Sequence, residues 1–147
     1  MSMQESIRIG AHPSNPRIGV VEFDLVGEKV NKLNSSTMTR LKDVLHDLAK
    51  SSYQLVIFKS NKPKIFIAGA DIDEIKSLKT KESFAKAVTG GQEIFNMLED
   101  LPMPTLASIH GACLGGGCEF VIACDYRIAT EANETKIGLP ETKLGII

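Results

Sequence analysis

Four consecutive apolar residues, LVIF, occupy positions 55–58. A strand without polar alternation is typical of a sheet that is covered on both faces. A β-branched segment at 18–23 predicts another strand, and the apolar spacing between the two predicts a helix that Ser35 or Ser36 caps and that ends near Lys50. Strand, helix and buried strand in this order indicate an α/β fold.

The remainder of the chain continues to alternate helices and short strands. Apolar spacing predicts a helix over about 82–100, whose core-facing residues are expected to be Phe84, Val88, Phe95 and Leu98. Short strands are predicted at 105–109, 127–129 and 136–138. A chain of 147 residues without a linker or a low-complexity segment suits one domain, so 1–147 is expected to form a single unit.

Composition argues against several classes of function. The formal net charge is −1 and aromatic residues make up 5% of the chain, without tryptophan, which leaves neither a basic field nor stacking platforms for nucleic acid. The longest apolar run, 120–124, is too short to span a membrane, and the first ten residues lack an export signal. Because Cys113, Cys118 and Cys124 form no CxxC pair, we expect them to be buried and reduced in a cytoplasmic protein.

A cluster of glycines follows the strand predicted at 105–109. The segment HGACLGGGCEF, residues 110–120, places three of them at the start of a predicted helix. Residues without side chains expose backbone N–H groups to a ligand, and the helix dipole adds positive charge there for an oxyanion. Glu119 lies three residues after Gly116, on the same side of that helix. Taken alone, the cluster fits close packing at least as well, and it matches neither a dinucleotide-binding fingerprint nor a P-loop.

A second acidic residue, Glu141, follows 22 positions after Glu119 in the segment GLPET. Proline at the first helical position and glutamate in the first turn describe an ordinary helix start, so this segment alone does not indicate a function. Two carboxylates beside one water molecule can act as general base and general acid. The functional interpretation therefore depends on whether the two side chains converge.

Four segments together resemble a known family. IFIAGADI at 65–72, HGACLGGGCEF at 110–120 and GLPETKLGI at 138–146 are similar to motifs of the crotonase, or enoyl-CoA hydratase/isomerase, superfamily, and VNKLN at 30–34 precedes them in the family's order. The variants of these motifs resemble those of the hydratase region at the amino terminus of multifunctional fatty-acid oxidation proteins. The resemblance implies a crotonase-like ββα spiral (ClpP/crotonase-type), here truncated at the C-terminus.

The resemblance also implies a site and a reaction. Ala70 and Gly116 would donate backbone N–H groups to the oxygen of a CoA thioester. Glu119 would remove a proton from water and Glu141 would supply one to C2, which hydrates a trans-2-enoyl-CoA to a 3-hydroxyacyl-CoA in fatty-acid β-oxidation. The residues that would line the CoA site are Val30, Lys32, Ala68, Asp71 and Ile72. The implied enzyme is a hydro-lyase that needs no metal and no cofactor beyond the CoA of its substrate.

Two alternatives remain open, an enoyl-CoA isomerase and a non-catalytic acyl-CoA-binding or assembly fragment. Water addition requires both an activated water and a proton donor, so two glutamates favour the hydratase. The chain ends directly after the last motif, where family members usually add helices that close the acyl pocket, and multifunctional members add an NAD-dependent dehydrogenase region. The family implies a homotrimer or hexamer, or a thiolase-type β subunit in a full-length complex.

Other polar residues have weaker interpretations. Lys59, Lys62 and Lys64 either form a solvated loop or meet the CoA phosphates as point charges. The three histidines do not have the spacing of metal ligands. His110, beside the glycines, is expected to pack or to form a hydrogen bond rather than to catalyse.

Overall fold

A computed structural model describes residues 6–144 as two sheets with helices packed around them. The strands are β1 (Ile7–His12), β2 (Asn15–Phe23), β3 (Leu55–Ser60), β4 (Ile65–Ile67), β5 (Thr105–Ile109), β6 (Ala112–Leu114), β7 (Tyr126–Ala129) and β8 (Lys136–Gly138). The helices are α1 (Ser35–Ala49), α2 (Ile72–Ser77), α3 (Lys81–Glu99), α4 (Gly116–Ile122) and α5 (Glu141–Leu144). Strands and helices alternate along the chain, which confirms the α/β class.

The chain moves repeatedly from one sheet to the other. The larger sheet has the order β1-β2-β3-β5-β7, the smaller one has the order β4-β6-β8, and every pair except β1 with β2 is parallel. From β3 onward, a strand of the larger sheet is followed by a strand of the smaller sheet and then by a helix, three times in succession. Because parallel strands end at one edge, the segments that leave β4, β6 and β8 lie side by side.

The core between the sheets is built around Phe120 of α4. Its ring meets Phe58 at a centroid distance of 5.2 Å and Phe23 at 5.4 Å, both edge to face, which is a favourable geometry for aromatic pairs. All three rings are fully buried. Phe120 therefore anchors α4, and the position of its neighbour Glu119 follows from that anchor.

Strand β3 is less covered than its sequence predicts. Val56 and Phe58 are fully buried, whereas Leu55 and Ile57 on the opposite face are only half-buried. The helices thus cover one face completely and the other in part. Strand β1, which the sequence analysis did not predict, pairs with β2 in antiparallel register and forms the edge of this sheet.

Helix α1 begins one or two residues earlier than expected. Asn34 is the N-cap, because its Oδ1 accepts a hydrogen bond from the Thr37 N–H at 2.8 Å, whereas the prediction placed the cap at Ser35 or Ser36. The Ser35 N–H instead donates to the Glu74 carboxylate at 2.8 Å, which ties α1 to α2. The apolar face of α1 is buried as predicted, through Leu41, Val44, Leu45 and Leu48.

Helix α3 departs from the prediction along its first half. Phe84 and Val88 are 43% and 44% exposed, although apolar spacing predicted that they face the core. Ile94 and Leu98, in the second half, are buried, and Phe95 packs partly against the core. The helix is 19 residues long, and its buried residues all lie in its second half. A periodic apolar face was therefore present, but the described chain offers nothing for half of it to pack against.

The three cysteines are free and buried, as predicted. No helix within residues 6–144 combines the length and the apolar composition needed to cross a lipid bilayer.

Candidate active site

The first part of the site is the segment that follows β4. Leu33 holds it from one side, because its N–H donates to the Gly69 carbonyl at 2.8 Å and its own carbonyl accepts from the Asp71 N–H at 3.2 Å. These two bonds bracket Ala70. Among the hydrogen bonds of residues 6–144, none uses the Ala70 N–H as donor, so this amide is available to a ligand.

The second part is the turn between β6 and α4. Gly115 has φ +53° and ψ −125°, a conformation suited to glycine, and it caps α4 without a side-chain hydrogen bond. Its N–H donates to the Gly138 carbonyl at 2.9 Å, which fixes the turn to the end of β8. The N–H of Gly116, the first residue of α4, has no acceptor among the described hydrogen bonds.

These two backbone segments pack directly against each other. A β-carbon added to Gly69, which has φ +116°, would lie 3.2 Å from the Leu114 carbonyl oxygen and 3.9 Å from the Gly115 Cα. A β-carbon added to Gly116 would lie 3.7 Å from the Ala70 nitrogen. The structure therefore brings together the two amides, of Ala70 and Gly116, that the family resemblance selected.

Glu119 reaches the same place from the first turn of α4. Its Oε2 would lie 3.7 Å from a β-carbon on Gly116, the same separation as the Ala70 nitrogen. The residue is exposed, so its carboxylate is accessible to solvent. A hydrogen-bond donor and a carboxylate thus border the open side of one glycine.

Glu141 reaches the turn from β8 and α5. The parallel register pairs Leu114 with Gly138, and this pairing sets the start of α5 beside the glycine turn. Glu141 Oε1 would lie only 2.5 Å from a β-carbon on Gly115. Its Oε2 is buried and has no hydrogen-bond partner within residues 6–144. An acceptor buried without a donor costs about 1–3 kcal/mol, so this oxygen is suited to receive a hydrogen bond from a ligand or water.

The surroundings of Cys118 include both carboxylates. Burial raises the pKa of its thiol, and the negative charges of Glu141 and then Glu119 raise it further. Both charges must lie near Cys118 for this effect. Residues 22 positions apart in sequence therefore converge.

The residues predicted to line a CoA site lie around the Ala70 segment, but two of them bind each other. Lys32 Nζ lies 2.8 Å from Asp71 Oδ2 and 3.3 Å from Glu28 Oε1. Hydrogen bonding to Asp71, and then to Glu28, raises the pKa of Lys32, and the bond from Lys32 lowers the pKa of Asp71. The Asp71 side chain also caps α2. This pair therefore stabilises the loop, and a role in CoA binding stays a prediction.

The other three CoA-site candidates are apolar or small. Val30 and Ala68 are half-buried, and Ile72 is 42% exposed at the start of α2. The Ala68 N–H donates to the Asn31 carbonyl at 2.8 Å, so it is engaged in the fold. Their contact with CoA likewise stays a prediction.

The lysines near β3 are engaged mainly in ion pairs. Lys59 Nζ lies 3.1 Å from Glu22, and Lys62 Nζ lies 2.9 Å from Asp24. Two of the three lysines that were predicted either to be solvated or to meet the CoA phosphates thus pair with carboxylates of the chain itself, and the third is Lys64. His110 Nε2 lies 2.6 Å from the Lys62 carbonyl oxygen, so its imidazole forms a hydrogen bond, as expected. Within the described part of the chain, no cluster of three or more His, Cys, Asp or Glu side chains could hold a metal ion.

Sequence reasoning missed Asn31. It is 1% exposed, and its side chain forms hydrogen bonds with the ends of several strands. Asn31 lies between Val30 and Lys32 in the VNKLN motif, but the sequence selected only those two neighbours, because nothing local indicates that the asparagine is buried.

Comparison of sequences relates the chain to known proteins. The family model described as Enoyl-CoA hydratase/isomerase matches residues 16–147. The fatty acid oxidation complex subunit alpha of Vibrio parahaemolyticus is 38% identical over 148 residues, which cover 100% of the chain and 21% of that relative. The chain therefore spans about a fifth of the length of this relative.

Comparison of structures gives the same relationship. An enoyl-CoA hydratase from Bacillus anthracis is 31% identical with a TM-score of 0.84, and the match covers 97% of the chain and 53% of that structure. An enoyl-CoA hydratase/carnithine racemase from Magnetospirillum magneticum is 26% identical with a TM-score of 0.84, and covers 98% and 52%. These matches confirm the crotonase-like ββα architecture, over about half of each solved structure.

Proposed function

Since the chain belongs to the enoyl-CoA hydratase/isomerase family, we propose that it hydrates a trans-2-enoyl-CoA to a 3-hydroxyacyl-CoA. The observation that carries this proposal is the convergence at the Gly115–Gly116 turn of two backbone amides and two carboxylates. The amides suit a thioester oxygen, and the carboxylates suit the transfer of two protons. The proposal extends to fatty-acid β-oxidation because curated relatives are named as subunits of a fatty acid oxidation complex.

In the proposed reaction, the amides act first on the carbonyl. The N–H groups of Ala70 and Gly116 donate to the thioester oxygen, which draws electron density from C3 and stabilises the negative charge that develops on that oxygen. Removing one such donor in other enzymes costs about 2.7–4 kcal/mol of transition-state stabilisation. Backbone donors are already fixed by the fold, so they need no reorganisation during the reaction.

The two glutamates then carry out the two proton transfers. Glu119 removes a proton from water as the water oxygen bonds to C3, and Glu141 gives a proton to C2, so that one water molecule is added in total. The exposure of Glu119 supports its assignment as base, because bulk water reaches it directly. Glu141 reaches the glycine turn, where its Oε1 lies beside Gly115, and this position supports a role in contact with the substrate. No metal or further cofactor enters the proposal.

Hydration of crotonyl-CoA, followed by the loss of its ultraviolet absorbance, tests the proposal. Glu119→Gln and Glu141→Gln are each expected to lower kcat by about 10²–10⁴-fold, because each removes one proton transfer while keeping the shape of the side chain. Glu131→Gln, in an exposed loop, is the matched control and is expected to keep the wild-type rate. Equal rates in all four proteins would contradict the assignment of the glutamates.

Two other activities would appear as different results of the same experiment. An isomerase would leave crotonyl-CoA unchanged and would convert a 3-enoyl-CoA to a 2-enoyl-CoA. A non-catalytic acyl-CoA-binding chain would bind butyryl-CoA without turnover. Between these two alternatives only, the exposure of Glu119 favours the binding chain over the isomerase, because open water weakens the electrostatic effects on which isomerisation depends.

Assembly and location belong to the same proposal. The relatives are named as subunits of a complex, which supports association of this chain with other chains, as a homotrimer, a hexamer or a complex with a thiolase-type β subunit. We also propose a cytoplasmic location, because the three cysteines are free.

A further inference from the structure

The Asn31 side chain is an amide buried in an apolar core, with 1% exposure. Its Oδ1 accepts from the Leu25 N–H at 3.0 Å. Its Nδ2, with two N–H donors, lies within hydrogen-bond distance of three oxygens, those of the Phe23 carbonyl at 3.2 Å, the Ser60 hydroxyl at 2.8 Å and the Phe66 carbonyl at 3.1 Å. Because a buried amide is costly unless its donors and acceptor are used, this arrangement permits one orientation of the side chain.

The partners of Asn31 come from both sheets. Phe23 is the last residue of β2, Ser60 is the last residue of β3, and Phe66 lies in β4. The side chain thus fixes the carboxyl ends of two strands of the larger sheet to one strand of the smaller sheet. The segment that leaves β4 carries Ala70, so the connection reaches the candidate site.

The segment that contains Asn31 lies beside both halves of the amide pair. The Asn31 carbonyl accepts from the Ala68 N–H at 2.8 Å, and Leu33 makes the two hydrogen bonds that bracket Ala70. The Leu33 Cδ1 would lie 3.2 Å from a β-carbon on Gly116. We propose that Asn31 is a positioning residue that fixes the segment 31–33 and thereby sets the separation of the Ala70 and Gly116 amides.

This inference rests on the proposed function of the amide pair. Asn31 is buried away from solvent and acts through Leu33, so it makes no contact with substrate. Its loss therefore weakens the polarisation of the thioester carbonyl rather than the binding of CoA. Misplacement of reacting groups by about 1 Å can cost on the order of 10²-fold in rate.

The experiment uses a spectroscopic signal that is independent of turnover. Butyryl-CoA is saturated and is not hydrated, and the infrared stretching frequency of its thioester carbonyl falls when the amides donate to the oxygen. Asn31→Ala is the main variant. Ser60→Ala, which keeps three of the four partners of Asn31, carries the test if the first variant does not fold. Asn61→Ala is the matched control, because the Asn61 side chain bonds only to Glu22, at 3.3 Å on the surface.

The expected result is a lowered frequency in the wild type and in Asn61→Ala, a smaller lowering in Ser60→Ala and the smallest in Asn31→Ala. For crotonyl-CoA, kcat of Asn31→Ala should fall on the order of 10- to 100-fold while KM changes less than about threefold.

A wild-type frequency in folded Asn31→Ala and Ser60→Ala would overturn the positioning role and leave the proposed function intact. No lowering in the wild type would overturn the amide pair and both proposals with it. A lowered wild-type frequency that Asn31→Ala reverses supports the positioning role even where hydration is not detected, and then only the hydratase proposal fails.

Discussion

Individual glycines determine how closely the parts of the candidate site approach. Gly69 and Gly115 both have positive φ, and their backbones lie against each other with no space for a side chain between them. Gly116 leaves its open side to the Ala70 nitrogen and the Glu119 carboxylate. The site is therefore formed as much by missing side chains as by the two glutamates.

Gly115→Ala is expected to impair catalysis more than stability. The new β-carbon would lie 2.5 Å from Glu141 Oε1, so the carboxylate must move. Gly27→Ala is the matched control, because Gly27 also has a positive φ, +78°, but no atom lies within 4 Å of its β-carbon position. Both variants should lose on the order of 1–3 kcal/mol from backbone strain. Only Gly115→Ala should also lower crotonyl-CoA hydration, by about tenfold or more per folded molecule. Equal hydration rates in Gly115→Ala and Gly27→Ala would show that Gly115 is not needed to place Glu141.

The buried thiols predict a dependence of stability on alkaline pH. Burial raises the pKa of Cys113 and of Cys124 from an ordinary 9.0 to about 12. The folded chain therefore retains these protons after the unfolded chain has lost them. The contribution to stability is complete below pH 9.0 and is lost as the pH rises through the interval up to about 12.

Urea unfolding at a series of pH values between about 8 and 11 measures this effect. Lysine and tyrosine side chains also titrate there, so the comparison is with a variant that carries Cys113→Ala and Cys124→Ala. The variant is less stable at every pH because it loses packing, but its free energy of unfolding should decline less steeply above pH 9.0. Parallel curves would show that the thiols do not contribute.

The helices show which part of the fold can be predicted from local patterns. Helix α1 was predicted in length and in its buried face, because its apolar residues are buried from the first turn to the last. Its cap was assigned to the wrong residue, since Asn34, Ser35 and Ser36 are all suitable caps and only the fold selects among them. In α3 the apolar spacing is present, but Phe84 does not face the core as predicted, because the described chain leaves the first half of the helix uncovered. Apolar periodicity predicts which side of a helix is apolar, but it does not predict what packs against that side.

The candidate site shows a second limit of sequence reasoning. The motifs around Ala70, Gly116, Glu119 and Glu141 were found from the sequence and the family resemblance. Their convergence depends on the parallel pairing of β6 with β4 and β8, which the sequence spacing does not specify. Asn31 was missed for the same reason, because its partners come from strands that are far apart along the chain.

Within α3, the Gly90–Gly91 pair is a weak point that substitution should strengthen. Glycine in a helix interior costs about 1 kcal/mol relative to alanine, and no atom lies within 4 Å of the β-carbon position of either residue. The double substitution to alanine should raise the free energy of unfolding by about 2 kcal/mol and Tm by about 4–8 °C. Gly117→Ala in α4 is a control that should lower Tm instead, because the new β-carbon would lie 2.5 Å from the Ile67 carbonyl oxygen. A lower Tm in the double variant would show that these glycines are needed for packing.

Considered as a whole, the molecule is a spiral in which each ββα unit contributes one segment to the site. The unit with β4 supplies the Ala70 amide, the unit with β6 supplies Gly116 and Glu119, and the unit with β8 supplies Glu141. Because the smaller sheet is parallel, all three segments leave it at one edge. The proposed reaction requires the register of three strands. Two buried residues connect these strands to the larger sheet, Phe120 through its ring contact with Phe58 and Asn31 through its hydrogen bond with Ser60.

The last units of the spiral end in strands with exposed apolar residues. In both sheets the last strand, β7 or β8, lies at an edge. The exposed residues of this region are Ile122 (59%), Tyr126 (61%), Ile128 (57%), Ile137 (48%) and Leu139 (54%). Exposed apolar residues next to strands at a sheet edge favour association between chains. We therefore expect the chain to self-associate in a concentration-dependent manner.

Sedimentation velocity over a range of concentrations checks this expectation. The wild type should sediment with a mass above the 16.0 kDa of one chain, whereas a variant with Ile128→Lys and Ile137→Lys should approach the mass of the monomer. Val88→Lys is the matched control, since Val88 is similarly exposed, at 44%, but lies on α3 rather than at the two edges. The control should associate like the wild type if the edges are the contact. Loss of association in the control as well would move the contact to α3, and a monomeric wild type at every concentration would show that these edges do not bind each other.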